Sequence, residues 1–125
     1  MSFLSSARKV RDPDLPLWKR YSALRGCVAS FSFLTQRSYN GTLERLGLTW
    51  SIVRPADPPT DAFLRRTLDL LERERSRYLA GLRGFELRRV RAKMRGRRQL
   101  SRAERAALAS LREGVDAALV PVPKT

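Results

Sequence analysis

The residues with the clearest chemistry lie in one basic run near the carboxyl end. Residues 88–98 read RRVRAKMRGRR, with seven basic side chains in eleven positions and no acidic one. A guanidinium group presents a planar fork of donors that can bind two phosphate oxygens at once. The run therefore predicts contact with a polyanion, and nucleic acid is the first candidate.

The spacing of the run predicts how it binds. On a helix its basic side chains would surround nearly the whole circumference and leave Leu87, Val90 and Met94 as a narrow apolar strip. Charge on every side repels itself unless phosphates approach from several directions, so we expect a segment inserted into folded RNA. Residues 86–125 contain no aromatic side chain for base stacking, which favours recognition of backbone and shape over sequence. A solvated charged helix and a nuclear-localisation signal are the alternatives. With its basic flanks, the predicted RNA-binding set is Arg83, Arg88, Arg89, Arg91, Lys93, Arg95, Arg97, Arg98, Arg102 and Arg105.

Other chemistry finds little support in the composition. The chain has no histidine and one cysteine, which argues against a catalytic triad, a Cys–His pair and a zinc cluster. We expect Cys27 to be a small residue at the edge of the core. The carboxylates of Asp69, Glu72 and Glu74 lie among arginines and predict ion pairs rather than acid–base catalysis. We therefore expect a protein that is not an enzyme, with no cofactor, no metal and no small-molecule substrate.

The charge of the whole chain agrees with a polyanionic partner. Its 125 residues include 26 basic and 12 acidic ones, for a net charge of +14, and 22 of the basic residues are arginine. Codon bias in a GC-rich genome would explain the excess of arginine over lysine, but not the net charge. The longest stretch without a charge, residues 26–36, is too short to span a bilayer. We expect no membrane contact.

Two helices follow from apolar periodicity and from breaks in it. Apolar residues from Leu17 to Leu34 recur at steps of four and three, which predicts a helix to about Arg37, ended by a turn at Asn40-Gly41. Residues 42–53 fit either a short helix or an extended segment. The proline-rich residues 54–59 predict a stiff connector, after which Asp57 or Thr60 would cap a long helix.

The long helix carries a heptad stripe. One arginine, Arg75, interrupts its apolar positions. We expect this helix to pack on the preceding helix, and a coiled-coil dimer is the alternative. We expect Trp18 to be a packing anchor, with docking on a partner as the alternative. Trp18 and the stripe make up the predicted protein-docking set: Trp18, Leu64, Leu68, Leu71, Tyr78, Leu82 and Phe85.

A third helix is marked by its own signals. Ser101 and Glu104 form a capping box, an apolar stripe runs from Leu108 to Leu119, and Pro121 stops the helix. The predicted fold is all-α, with about three helices, Pro-rich connectors, a long central helix, and a shape more extended than a compact globule. We divide the chain into a basic amino-terminal tail or uncleaved targeting segment (1–11), a helix with its connector (12–57), and the long helix, Arg-rich segment and last helix (58–125).

Two resemblances bear on function. In its Ser-rich basic start (MSFLSSARKVR), its Pro-rich connectors and the RRVRAKMRGRR run, the chain is similar in character to small Arg-rich proteins of organellar ribosomes, without matching one family. Leu17-Trp18-Lys19, with Leu24-Arg25 and Phe31 downstream, faintly resembles the opening of LYR-motif mitochondrial proteins, although Trp and Lys replace Tyr and Arg. That family implies a three-helix bundle that binds an acyl carrier protein or assembles respiratory complexes.

The resulting expectation is a structural component of a ribonucleoprotein, with the mitochondrial ribosome as the assembly and the matrix as the location. Its partners would be rRNA and neighbouring ribosomal proteins. An accessory or assembly subunit of a respiratory complex, a free-standing nucleic-acid-binding factor, and a cytoplasmic or other organellar location remain the alternatives.

Overall fold

The computed structural model describes residues 2–48, 59–96 and 100–122, and all the regular secondary structure of these residues is helical. The all-α prediction is confirmed. The predicted count of three helices is not confirmed, because the described residues form five. These are α1 (Phe3–Arg11), α2 (Leu17–Thr35), α3 (Tyr39–Arg45), α4 (Asp61–Met94) and α5 (Arg102–Ala118).

The chain divides into two compact units. The first contains residues 1–72 together with 119–125, and the second contains residues 73–118. The division falls within α4, which contributes its first part to one unit and its remainder to the other. The predicted boundary at residue 57 and most of the Pro-rich connector lie outside the described residues.

Helix α1 is an element that the sequence interpretation treated as a basic tail. Ser2 caps it by accepting a hydrogen bond from the Ser5 amide at 3.1 Å. Phe3, Ala7 and Val10 recur at steps of four and three and are buried, with α1 lying along α2. The basic residues of α1 occupy the remaining positions, so the helix is amphipathic.

Helix α2 supplies the facing core. Tyr21, Leu24, Val28 and Phe31 are buried, which confirms the middle of the predicted stripe, whereas Leu17 at its beginning is 40% exposed. The helix ends at Thr35, two residues before the predicted end, because Gln36 adopts a left-handed conformation with φ 55°.

The predicted turn at Asn40-Gly41 is wrong. Both residues lie in α3, whose amino end is capped by Ser38, the side chain of which accepts a hydrogen bond from the Gly41 amide at 3.1 Å. The Ser38 cap supplies the local hydrogen bond that lets a short helix form where Asn-Gly alone favours a turn.

The beginning of α4 is stabilised by a helix cap and by the buried side chain of Arg20. Thr60 caps the helix by accepting a hydrogen bond from the Phe63 amide at 3.1 Å, as one of the two predicted caps. The buried Arg20 side chain donates to the Val10 carbonyl at 2.7 Å and forms an ion pair with Asp61. Hydrogen bonds from Arg20 and Arg65 lower the pKa of the Asp61 carboxyl below its usual value. The Arg20 guanidinium thus fixes three helices of the first unit.

The second unit pairs the remainder of α4 with α5. The predicted capping box is confirmed: the Glu104 amide donates to Ser101 Oγ at 3.1 Å, and the Ser101 amide donates to Glu104 Oε1 at 3.4 Å. The two helices approach closely at Gly81, where an added Cβ would lie 2.6 Å from Leu111 Cδ1. Tyr78, Phe85 and Val115 are buried in this unit.

Candidate nucleic-acid interface

The first part of the basic run, residues 88–94, forms the last turns of α4. Arg88 and Arg91 lie at positions i and i+3 on one face of the helix. Arg95 follows directly after the last helical residue, and its amide still donates to the Arg91 carbonyl at 3.3 Å, so helical spacing would place it within the same arc of about 60°. All three side chains are exposed. We call these three residues the basic ridge.

Two further cations lie on a different face. Arg89 and Lys93 are neighbours at i and i+4, and both are exposed. The helix periodicity separates this pair from the basic ridge by the apolar positions Leu87, Val90 and Met94 on one side. The exposed basic side chains of α4 therefore point in two directions.

The arginines of the first unit differ from the ridge in their partners. Arg11 forms ion pairs with Asp69, at 2.9 Å, and with Glu72. Arg65 contacts Asp61 at 3.1 Å. The predicted ion pairs of Asp69 and Glu72 are therefore present.

Glu74, at the start of the second unit, also forms ion pairs with arginines. This buried carboxylate lies 3.5 Å from the Arg77 guanidinium and 3.9 Å from that of Arg73. By contrast, within the described residues no ion pair joins a carboxylate to any cation of the basic ridge or to Arg89 and Lys93. These cations retain their full capacity for phosphate.

The helix ends before the basic run does. Met94 is the last helical residue, and Gly96 follows with φ 83°, its amide donating to the Lys93 carbonyl at 3.0 Å. Only glycine adopts this conformation without strain, so Gly96 stops the helix. The expectation of helical spacing through Arg98 therefore holds only as far as Met94, and Arg97 and Arg98 lie outside the described residues.

The flanking cations of the predicted set are also on the surface. Arg83 is exposed on α4, and Arg102 and Arg105 are exposed on the first turn of α5. The structure therefore places eight of the ten predicted RNA-binding side chains in solvent, all of them in the second unit.

The predicted protein-docking set divides by burial. Trp18 is 54% exposed, with the Lys19 ammonium 5.5 Å from its ring centre. Leu82 is half-buried. The other five members are part of the chain's own core in this structure: Leu64, Leu68, Leu71, Tyr78 and Phe85.

The sequence predicted the narrow apolar strip of Leu87, Val90 and Met94 but missed its extension to Leu79. Leu87, Val90 and Met94 are 63%, 53% and 83% exposed, and Leu79 extends the same face by two turns toward the amino end of α4. The signal was present in the spacing, since residues 79, 87, 90 and 94 share one helical face. The neighbouring heptad stripe, which is longer, obscured it.

Other candidate sites are not supported by the described residues. Cys27 is fully buried, with its thiol 3.8 Å from the Phe3 carbonyl oxygen. In the described segments, no group of three His, Cys, Asp or Glu residues is arranged to hold a metal ion. Among the same residues, no helix has the length and apolar character to cross a membrane.

Comparison with known proteins places no further constraint on the site. No protein-family model, no curated protein and no solved structure matches this chain.

Proposed function

We propose that the protein is a structural RNA-binding component of a ribonucleoprotein, and that this particle is the mitochondrial ribosome. The observation that carries the proposal is the set of exposed basic side chains on the last turns of α4, which lack carboxylate partners in the described structure. Between residues 83 and 105 the sequence has ten basic and two acidic residues. Phosphate groups of RNA would supply the counter-charge for this surface.

Binding would act through neutralisation of the RNA backbone. The basic ridge spans about 10 Å along the helix axis, which is long enough to contact several phosphates of one strand. Each phosphate that it neutralises releases condensed counterions, so affinity falls as salt rises. Because these turns carry no aromatic side chain, the contacts would follow the shape and the backbone of the RNA.

The two basic faces of α4 support a bridging role. The basic ridge and the Arg89–Lys93 pair point in different directions, so two RNA segments can contact one helix from different sides. The protein would then hold RNA helices together while its other surfaces contact neighbouring proteins. This role is scaffolding rather than catalysis.

The mitochondrial location is part of the proposal. The amino-terminal residues form a basic amphipathic helix, and this is the form that matrix-targeting segments take. Phe3 and Val10 of that helix belong to the core, so we propose that the segment stays on the mature protein.

Sedimentation of the tagged protein from a detergent-solubilised mitochondrial lysate tests the proposal. We expect co-migration with a ribosomal particle, and a shift to the top of the gradient after RNase treatment. A position with respiratory-chain subunits that resists RNase would contradict the proposal and favour an accessory or assembly subunit of an inner-membrane complex.

A further inference from the structure

An exposed apolar surface lies beside the basic ridge. Leu79, Leu87, Val90 and Met94 fall within an arc of about 80° on α4, and we call them the apolar stripe. Three of them are more than half exposed, and Met94 reaches 83%. Large apolar side chains exposed together in this way are typical of an interaction surface.

The stripe forms one side of a groove. An open cavity of about 400 Å³ is lined by Leu79, Leu82, Arg83, Glu86, Leu87 and Val90. Leu87, Val90 and Met94 follow each other at steps of three and four residues, as in the seam between two packed helices. From Leu79 to Met94 the surface is about 22 Å long, which matches a partner helix of about four turns.

Charge around the stripe determines which partner fits. Arg91 borders it on one side and Lys93 on the other, and Arg83 lies within the groove, whereas Glu86 is the single acidic residue of the lining. A second copy of this chain would bring mostly like charges together, since Glu86 is outnumbered by Arg83, Arg91 and Lys93. A membrane surface requires a broader apolar face than an arc of about 80° supplies.

We propose that the apolar stripe docks an amphipathic helix of a partner protein, whose apolar face is bordered by Asp and Glu residues. Apolar contacts in the groove would provide the stability, and pairs with Arg83, Arg91 and Lys93 would set the orientation. The stripe is turned by roughly 110° around α4 from the basic ridge. Arg88, Arg89 and Arg95 stay open to RNA when a partner helix pairs with Arg91 and Lys93, and this inference does not depend on the identity of the particle.

A designed peptide provides the first test. The probe is a labelled synthetic helix of about 18 residues with Leu at the seam positions and Glu at the flanking positions, compared with a second peptide in which Gln replaces every Glu. We expect the acidic peptide to bind at least tenfold more tightly than the neutral one. The variant L87Q/V90Q/M94Q should weaken binding of the acidic peptide by at least tenfold, because Gln keeps the helix but removes the apolar contact.

Control variants at other exposed positions show whether peptide binding depends on the apolar stripe. L4Q/F33Q removes two exposed apolar side chains of α1 and α2 and should leave peptide affinity unchanged. R88Q/R95Q lies on the far side of α4 and should weaken RNA binding while the peptide affinity changes less than threefold. Circular dichroism and melting temperature confirm that each variant remains folded, since all the replaced side chains are exposed.

Three results would overturn the inference. One is equal affinity of wild type and L87Q/V90Q/M94Q for the acidic peptide. A second is stripe-dependent binding to vesicles that contain anionic lipid, and a third is stripe-dependent self-association in sedimentation equilibrium. None of these results would contradict the RNA proposal, because that proposal is tested by measuring the RNA affinity of the same variants.

Photo-crosslinking in cells identifies the natural occupant. Benzoylphenylalanine at Val90 should give an adduct to a protein segment that mass spectrometry identifies as an acidic amphipathic helix, and the same group at Arg88 should give RNase-sensitive adducts. RNA adducts from both positions, or a partner segment without acidic flanks, would contradict the proposed division of α4.

Discussion

Two groups of arginines can be distinguished in this chain: a buried one with partners inside the fold, and exposed ones without a carboxylate partner in the described residues. Arg20 is buried, donates to a carbonyl of α1 and pairs with a carboxylate of α4, so its charge contributes to the fold. Arg88, Arg91 and Arg95 are exposed and have no carboxylate partner among the described residues. The sequence alone predicted the exposed group, because its arginines lie in a run without acidic residues. It could not predict the buried one, because the partners of Arg20 are ten and forty-one positions away.

Cys27 shows how depth in the core determines reactivity. The sequence placed it at the edge of the core, one position from the apolar stripe of α2, whereas the structure buries it completely. Burial, followed by the nearby Glu72 charge, raises the pKa of its thiol to about 12. Because a raised pKa favours the neutral thiol, the thiolate becomes scarce near neutral pH in the folded chain.

Thiol labelling checks this environment. At about pH 8 we expect an aromatic disulfide reagent to modify the native protein at least a hundredfold more slowly than the guanidinium-unfolded protein, since both access and thiolate are lost on folding. The C27S variant supplies the background rate. Equal labelling rates in the folded and unfolded states would contradict the burial of Cys27.

At the scale of elements, the sequence predicted three of the five helices of the described residues from their apolar stripes and caps. Helices α2, α4 and α5 each follow from an apolar stripe, and α5 also from the Ser101–Glu104 capping box. Helix α1 was missed because its apolar residues are few and lie in a basic, Ser-rich segment. The sequence left a short helix open from residue 42 but missed the beginning of α3, because Asn40-Gly41 has the composition of a turn and the Ser38 cap outweighs that preference.

The contact between α4 and α5 depends on one of two similar glycines. Gly84 has no atom within 4 Å of an added Cβ, whereas at Gly81 a Cβ would collide with the end of the Leu111 side chain. Both residues lie inside α4, where alanine is favoured over glycine by about 1 kcal/mol. The two positions therefore differ in packing alone.

Chemical denaturation of the two alanine variants measures that difference. We expect G84A to raise the free energy of unfolding by about 1 kcal/mol. In G81A the same gain should be offset by displacement of Leu111, so that the net change is about zero. Equal stabilisation by both substitutions would show that α4 and α5 do not approach closely at Gly81.

At the scale of the whole molecule, the positive charge is unevenly distributed between the two units. The first unit contains the ion pairs of Arg11, Arg20 and Arg65, whereas the stretch from residue 83 to 105 holds ten basic and two acidic residues. Composition predicted a polyanionic partner but not this division, which depends on the partners that folding brings together. Composition also does not reveal that an apolar stripe runs between the cations of α4, because exposure depends on where α5 packs.

Salt dependence of RNA affinity tests the central claim most directly. The probe is a labelled RNA hairpin, and the slope of log K against log salt counts the neutralised phosphates, at about 0.7 to 0.9 per contact. We predict that R88Q/R91Q/R95Q reduces the slope of the wild type by about two to three units and weakens binding at physiological salt. The control R8Q/K19Q/R45Q removes the same charge from exposed positions on α1, α2 and α3 and should change the slope by less than one unit. Equal slopes for the wild type and the ridge variant, or a larger loss in the control, would contradict RNA binding through α4.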